Sequence, residues 1–210
     1  YMVEKLYNQA QKADSDVVVC DYINKWGKNN KTLYSIFFSE AQTPFSKTIV
    51  KVPVGNNISD EIRRKSLLVS PCYTENKIYK TSFIRENNIR FSNIQGFEDV
   101  LFSLKSHIFA NGISYINEKL YTYSIEENIQ NTAKALIEIT DEVYRFLHSY
   151  GLMAELRKNF DYFIVTSVIN NRKILNEEDI KKIGAYLSDK EIYYSLLERL
   201  KVQLSGELSL

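Results

Sequence analysis

The chain has 210 residues, with 27 Lys+Arg against 26 Asp+Glu and a formal net charge of +1. That balance lacks the basic excess of a general nucleic-acid binder, and 44% hydrophobic with 25% charged residues is the composition of a folded chain rather than a disordered one. With 2 His and 2 Cys, neither a His/Cys zinc centre nor a disulfide scaffold is expected.

Residues 1–13 place Met2, Val3, Leu6, Tyr7 and Ala10 on a helical stripe. The chain opens inside that stripe, at Tyr1-Met2-Val3-Glu4, with no signal peptide, and so reads as an internal boundary of a longer protein. Asp14-Ser15-Asp16 breaks the helix, and Val17-Val18-Val19-Cys20 follows as a short β-branched run, read as a strand buried on both faces. Helix, tight turn and apolar strand in that order predict an α/β protein. Residues 24–31 read as a polar turn. Between 32 and 54, apolar and polar residues alternate without helical spacing, and Pro44 and Pro53 restrict the stretch to short strands or loop.

Ser59-Asp60-Glu61 resembles an N-cap with an acidic first turn, opening a helix to about Leu68 that Ser70-Pro71-Cys72 stops. A short helix is predicted from Thr81 or Ser82 to Asn87-Asn88. Phe97-Glu98-Asp99 opens a clearer one, with Val100, Leu101, Leu104 and Ile108 on one face and Asn111-Gly112 as its stop. Two short strands are expected, around Ser114–Ile116 and Leu120–Ile125. From about Thr132 the pattern is helical to the end, with Leu136, Val143, Phe146 and Leu147, then Tyr193, Tyr194, Leu197 and Leu200, as packing faces. Ser188-Asp189-Lys190-Glu191 reads as a capping box for the last helix. The expected division is therefore 1–130, α/β, and 131–210, a helical bundle. No apolar run approaches the ~18 residues of a membrane span, and cytoplasmic residence is the expectation, with the inner face of the membrane as an alternative station.

Candidate chemistry is sparse. A D-x-D triplet such as Asp14-Ser15-Asp16 can hold a metal against a diphosphate, but only at the exit of a strand. Here it precedes one, at the wrong edge of a parallel sheet, and reads as a solvated turn. Glu98-Asp99 is better placed. It follows Gly96 at the start of a helix, where the dipole and free N–H groups favour an ionised carboxylate that can accept a proton from a substrate hydroxyl. The same spacing equally describes ordinary N-terminal helix acids. His107 is expected exposed or packed, and His148 to cap its helix end. Ser70-Pro71-Cys72-Tyr73 and Asn76-Lys77-Ile78-Tyr79 mix rigid and hydrogen-bonding residues, as a pocket wall does. The aromatic make-up, 15 Tyr and 11 Phe with one Trp, suits sugar or nucleotide pockets; coding bias towards Asn, Ile and Lys explains it equally well.

The ordered set Asn76-Lys77-Ile78-Tyr79-Lys80, Phe83-Ile84, Ile89-Arg90-Phe91, Gly96-Phe97-Glu98-Asp99-Val100-Leu101-Phe102 and Tyr115-Ile116-Asn117-Glu118-Lys119-Leu120-Tyr121-Thr122-Tyr123 resembles the C-terminal half of a family 2 glycosyltransferase. Residues 1–22 match the helix and strand that follow that family's metal-binding D-x-D. The resemblance covers residues 1 to about 125. It lacks the N-terminal nucleotide-binding half, and Glu75 and Ser124 stand where the family commonly has an aromatic and a basic residue.

The resemblance implies part of a GT-A fold and inverting transfer from a nucleotide-diphosphate sugar to a glycan or lipid-linked acceptor, as in the synthesis of a bacterial surface polysaccharide. Asp99 would be the general base. Glu98, Lys77, Tyr79 and Gly96 would bind or orient the acceptor. Mg²⁺ or Mn²⁺ would serve the full-length enzyme, with ligands outside this chain, which alone is expected to bind donor weakly and to be inactive. Peripheral membrane association and self-association stay open. The competing reading is a non-catalytic glycosyltransferase-like module that docks in a glycan-synthesis complex. An unrelated nucleotide-binding α/β protein is disfavoured because no Gly-rich phosphate loop follows any strand.

Overall fold

The computed structural model describes residues 1–26, 31–34, 57, 60, 67–68, 72, 74–125, 133–171 and 175–189. Most of the helix expected over 59–68, most of the 24–56 loops and the helix beyond residue 190 lie outside them. Two compact units emerge: Tyr1–Ser92 with Asp99–Asn128, and Asn93–Glu98 with Ile129–Leu210.

The first unit is organised by strand β1, Val17–Trp26. Val17, Val18, Val19 and Cys20 are each exposed by 1% or less, so the strand is buried on both faces, as its unbroken apolar run predicts. One edge pairs in parallel with β4, Ile113–Ile125, along its whole length, from Val17↔Ile113 to Trp26↔Ile125. The other edge is shared. Strand β3, Lys77–Tyr79, lies antiparallel to Val17–Val19, and strand β2, Lys31–Tyr34, antiparallel to Ile23–Trp26.

Two expectations are corrected here. Asn24, Lys25 and Trp26 are not the start of a polar turn but the end of β1, because ladder pairing with both β2 and β4 overrides the weak strand propensity of Asn24 and Lys25. The two short strands expected after Gly112 are one strand, β4. Its register shifts opposite Cys20, Asp21 and Tyr22, bulging out Asn117, Glu118 and Leu120, and the polar pair Asn117-Glu118 gives the appearance of a break.

Side chains alternate across the sheet. Leu6 of helix α1, Met2–Ala13, packs on Val18 and Cys20, with Met2, Ala10, Ile78, Ile116 and Leu120 around them. Val17, Val19, Ile113 and Tyr115 face the other way. They meet Phe83 of helix α2, Thr81–Glu86, Ile89 beyond it, and Phe102 of helix α3, Glu98–Phe109. Tyr79 meets the Phe102 ring edge-on at 5.1 Å, and Phe91 stacks on that ring at 4.2 Å. Helix α3 buries Val100, Phe102, Ser103, Leu104, Ser106 and His107, whereas Leu101 and Ile108 of the expected stripe are only partly buried. Small and hydrogen-bonded residues thus carry half of its packing face, which an apolar periodicity cannot show. His107 is buried, with Nδ1 at 2.7 Å from the Ser103 carbonyl.

Helix α1 ends on Asp14 in the left-handed region (φ 46), with the Ser15 N–H on the Ala10 carbonyl. Helix α2 ends likewise at Asn88 (φ 47), with Ile89 N–H on Ile84 O and Asn88 N–H on Arg85 O.

The second unit is helical among its described residues: α4, Ala133–Ser149, α5, Met153–Asn171, and α6, Glu177–Asp189. Leu136, Val143, Phe146 and Leu147 of α4 are buried, as their spacing predicts. The Tyr186 hydroxyl ties α6 to Asp141 of α4 at 2.9 Å. A reciprocal capping box opens α6, with Asp179 N–H on Asn176 Oδ1 and Asn176 N–H on Asp179 Oδ2. Ser188 and Asp189, expected to open a helix, instead occupy the last turn of α6, where Ser188 Oγ donates to Gly184 O at 2.9 Å.

Helix α4 ends on His148 and Ser149, with the Leu152 N–H on Leu147 O at 2.8 Å and Gly151 at φ 66. No atom lies within 4 Å of a Cβ placed on Gly151, so its substitution meets backbone strain alone. Gly151→Ala is accordingly expected to lower unfolding stability by about 1–2 kcal/mol, read as a shift of the urea midpoint at unchanged slope.

Candidate functional site

Helix α3 leads through Ala110-Asn111-Gly112 directly into β4 and packs against the sheet through Phe102. It must therefore run back along β4, which sets its N-terminal turn at the carboxyl ends of the parallel strands. That is the edge where open α/β sheets bind ligands. Asp99 lies in this turn, half-buried. Gly96, at φ 80, makes the left-handed turn ahead of the helix, a conformation that favours glycine. Glu98 is the exposed first residue of the helix.

Strand pairing puts Lys77 opposite Val19 and Tyr79 opposite Val17, so both side chains emerge on the α3 side of the sheet, Lys77 nearer the carboxyl edge. The Asp99 charge acts on Lys77, on Tyr79 and on Cys72. Burial lowers the Lys77 ammonium to about 8, against the pull of Cys72, Asp99, Glu75 and Cys20, in that order. Burial likewise raises the Cys72 thiol to about 12, reinforced by Asp99, and the Cys20 thiol to about 11. Both cysteines are free thiols, and both are poor nucleophiles at neutral pH. The Tyr79 phenol is also pushed up by burial, with the Ser106 hydroxyl acting in the opposite sense. Its oxygen is buried without a well-formed hydrogen bond, and the nearby Ser106 Oγ donates to Ser103 O at 2.9 Å.

Among the predicted site residues, the structure thus brings Asp99, Lys77 and Tyr79 into one electrostatic neighbourhood and adds Cys72. Glu98 and Gly96 belong to the approach to the helix.

A second polar pair on this face is missed by sequence patterning. Asp21 is 5% exposed, and the Tyr115 hydroxyl donates to its Oδ2 at 2.7 Å, while Oδ1 is buried without a hydrogen-bond partner. Burial raises the Asp21 carboxyl above the usual range, with Tyr115 and then Lys119 opposing. The only hint in the sequence is an acid ending a buried valine run.

Asp14-Ser15-Asp16 sits at the opposite edge. Asp14 is the left-handed end of α1. Ser15 Oγ donates to Asn57 Oδ1 at 2.8 Å, Asp16 Oδ2 accepts the Asn111 N–H at 2.8 Å, and the Lys80 ammonium lies 3.9 Å from Asp16 Oδ1. The triplet fastens β1 to the turn before β4. Among the described residues, no group of three or more His, Cys, Asp or Glu could hold a metal ion, and no helix is long and apolar enough to cross a membrane.

The fold is glycosyltransferase-like. The chain superposes on the crystal structure of S. aureus TarS 1–349 in complex with UDP-GlcNAc with a TM-score of 0.51, at 20% identity over 89% of this chain and 52% of that one. No protein-family model matches. The curated relatives it matches carry glycosyltransferase names. EpsH of Bacillus subtilis (strain 168) is 26% identical over 200 residues, 87% of this chain and 55% of EpsH. Glycosyltransferase GlyG of Streptococcus pneumoniae serotype 4 is 26% identical over 212 residues, 98% of this chain and 65% of GlyG. Poly(ribitol-phosphate) beta-N-acetylglucosaminyltransferase TarS of Staphylococcus aureus (strain Mu50) is 30% identical over 97 residues, 45% of this chain and 17% of TarS. The chain spans less than two thirds of each of these relatives.

The raised Asp21 carboxyl has a consequence for stability. Between the ordinary Asp value and the raised folded value, the folded chain holds a proton that the unfolded chain releases, so stability falls as pH rises through that window. Asp21→Asn keeps an acceptor for Tyr115 and removes the titration. Urea midpoints across a pH series are expected to decline less steeply above the ordinary carboxylate range in the variant than in the unsubstituted chain.

Proposed function

We propose that the chain is the acceptor-side portion of an inverting, family 2-like glycosyltransferase of the GT-A type. It would act on a nucleotide-diphosphate sugar and a glycan or lipid-linked acceptor. The observation that carries the reading is the position of Asp99, in the first turn of α3 at the carboxyl edge of β1 and β4, with Lys77 and Tyr79 beside it. The glycosyltransferase relatives support transfer in general, and the TarS structure, which is in complex with UDP-GlcNAc, supports a nucleotide sugar as donor.

In this reading, the Asp99 carboxylate takes the proton of the acceptor hydroxyl as that oxygen attacks the anomeric carbon. The bond from that carbon to the diphosphate breaks on the opposite face, and the nucleotide diphosphate leaves with its electron pair. A helix N-terminus favours the charged form of the base before reaction, and general-base catalysis of this kind contributes ~10²–10⁴-fold. Glu98, Gly96, Lys77 and Tyr79 orient the acceptor. A divalent ion, Mg²⁺ or Mn²⁺, would offset charge on the leaving diphosphate. The described residues do not form a centre for one, and its ligands are assigned to the rest of the protein.

Asp99→Asn is expected to lower kcat of the whole protein by ~10²–10⁴-fold, measured as release of nucleotide diphosphate, with the circular dichroism spectrum and Tm unchanged. Asp14→Asn, at the opposite edge, is expected to leave turnover within about twofold. Wild-type-like rates in Asp99→Asn would remove Asp99 from the mechanism. Absence of turnover of any nucleotide sugar by the unsubstituted whole protein would favour the non-catalytic module.

A further inference from the structure

Asn76 immediately precedes β3 and is 3% exposed. Its carbonyl accepts the Cys20 N–H at 3.0 Å and the Cys20 thiol at 3.3 Å. Its side chain spans in the other direction: Nδ2 donates to the Cys20 carbonyl at 2.6 Å, and Oδ1 accepts from the Lys77 ammonium at 2.9 Å. These partners fix the amide orientation. A flip would aim an NH₂ group at an ammonium and an oxygen at a carbonyl. The Asn76 side chain is therefore a rigid strut from the β1 backbone to the Lys77 ammonium, on which the Asp99 charge acts. A lysine stem has four flexible carbons and holds no geometry by itself; here its end is tied to a buried amide. The titratable groups acting on that ammonium are Cys72, Asp99, Glu75 and Cys20.

We infer that Asn76 is a positioning residue: its side-chain amide, clamped to the Cys20 carbonyl, holds the Lys77 ammonium in the neighbourhood of the Asp99 carboxylate. The inference rests on the proposed transferase reading for its catalytic meaning. It does not rest on that reading for its geometry. Attraction between the ammonium and the carboxylate is mutual, and it disappears when Lys77 loses its proton, near pH 8. Burial of Lys77 thereby sets an alkaline limit to the charge arrangement that Asn76 holds around Asp99.

Two readouts test it. Competitive labelling with acetic anhydride, which acylates only the neutral amine, gives the Lys77 titration midpoint by mass spectrometry. Asn76→Asp puts a carboxylate against the ammonium and is expected to raise that midpoint by about one pH unit. Asn76→Leu removes the acceptor while leaving the site buried and is expected to lower it. If Asn76→Leu does not fold, Asn76→Asp and Lys77→Arg carry the test. In the whole protein, the alkaline limb of kcat should follow the midpoint in Asn76→Asp, and should vanish in Lys77→Arg, whose guanidinium keeps its charge. A midpoint unmoved in folded Asn76→Asp, or an alkaline limb retained in Lys77→Arg, would overturn the inference. Labelling needs no sugar transfer, so an unsubstituted protein that transfers no sugar counts against the functional reading alone.

Discussion

The parallel pairing of β1 with β4 runs from Val17↔Ile113 to Trp26↔Ile125, through two register shifts, and most other features of the first unit follow from it. A parallel partner cannot be reached by a tight turn, so the chain must return to the start edge of the sheet before β4 begins. Helix α3 makes the last leg of that return. Its C-terminal end is fixed by the three residues before β4 and its flank by Phe102, which leaves its N-terminus at the carboxyl edge. An acid in that turn is placed by topology before any local preference acts. The same pairing places Asp14-Ser15-Asp16 at the other edge, where the Asp16 carboxylate fastens the Asn111 backbone and Asp14 ends α1.

A sheet face that is apolar at one end and polar at the other follows from the alternation along β1. Val17 and Val19 meet Phe102, Phe83 and Ile113, while Asp21, two residues further, turns a carboxylate onto the Tyr115 hydroxyl. Lys77, opposite Val19, lies between these regions, and Asn76 ties its ammonium to the Cys20 carbonyl. Charges on the border of an apolar layer interact more strongly than they would in water. Burial there disfavours each charged form, which is why Lys77 and the two thiols titrate away from their ordinary values. The polar groups of the site are held by buried side-chain amides and strand register, devices that fix geometry more tightly than a surface loop does.

Much of this was legible in the residues. The Leu6 stripe, the valine run, the acidic opening of α3 and the faces of α4 each carry their own periodicity or cap, and each forms as patterned except that Val3 and Tyr7 of the first stripe are exposed. The failures in the sheet share one cause, which is pairing that single-chain patterning cannot see. Asn24-Lys25-Trp26 is polar enough for a turn and becomes strand because β2 and β4 flank it. Asn117-Glu118 divides an apolar pattern without ending β4, because a bulge absorbs both residues. The buried Ser103, Ser106 and His107 satisfy one another or the helix backbone, so polarity conceals their packing role. At the candidate site, Asp99 is legible from the loop-to-helix junction. Asp21 and Tyr115 are distant in sequence, and only their parallel register brings them together.

The central claim is that one carboxylate, at the carboxyl edge of this sheet, promotes a direct displacement at the anomeric carbon. The most direct measurement is the anomeric configuration of the first product of the whole protein, read from the proton coupling of the transferred sugar before any re-equilibration. A single displacement inverts the configuration relative to the donor, and inversion is the predicted result. Retention would require either a covalent intermediate or front-face attack, and would contradict the role assigned to Asp99.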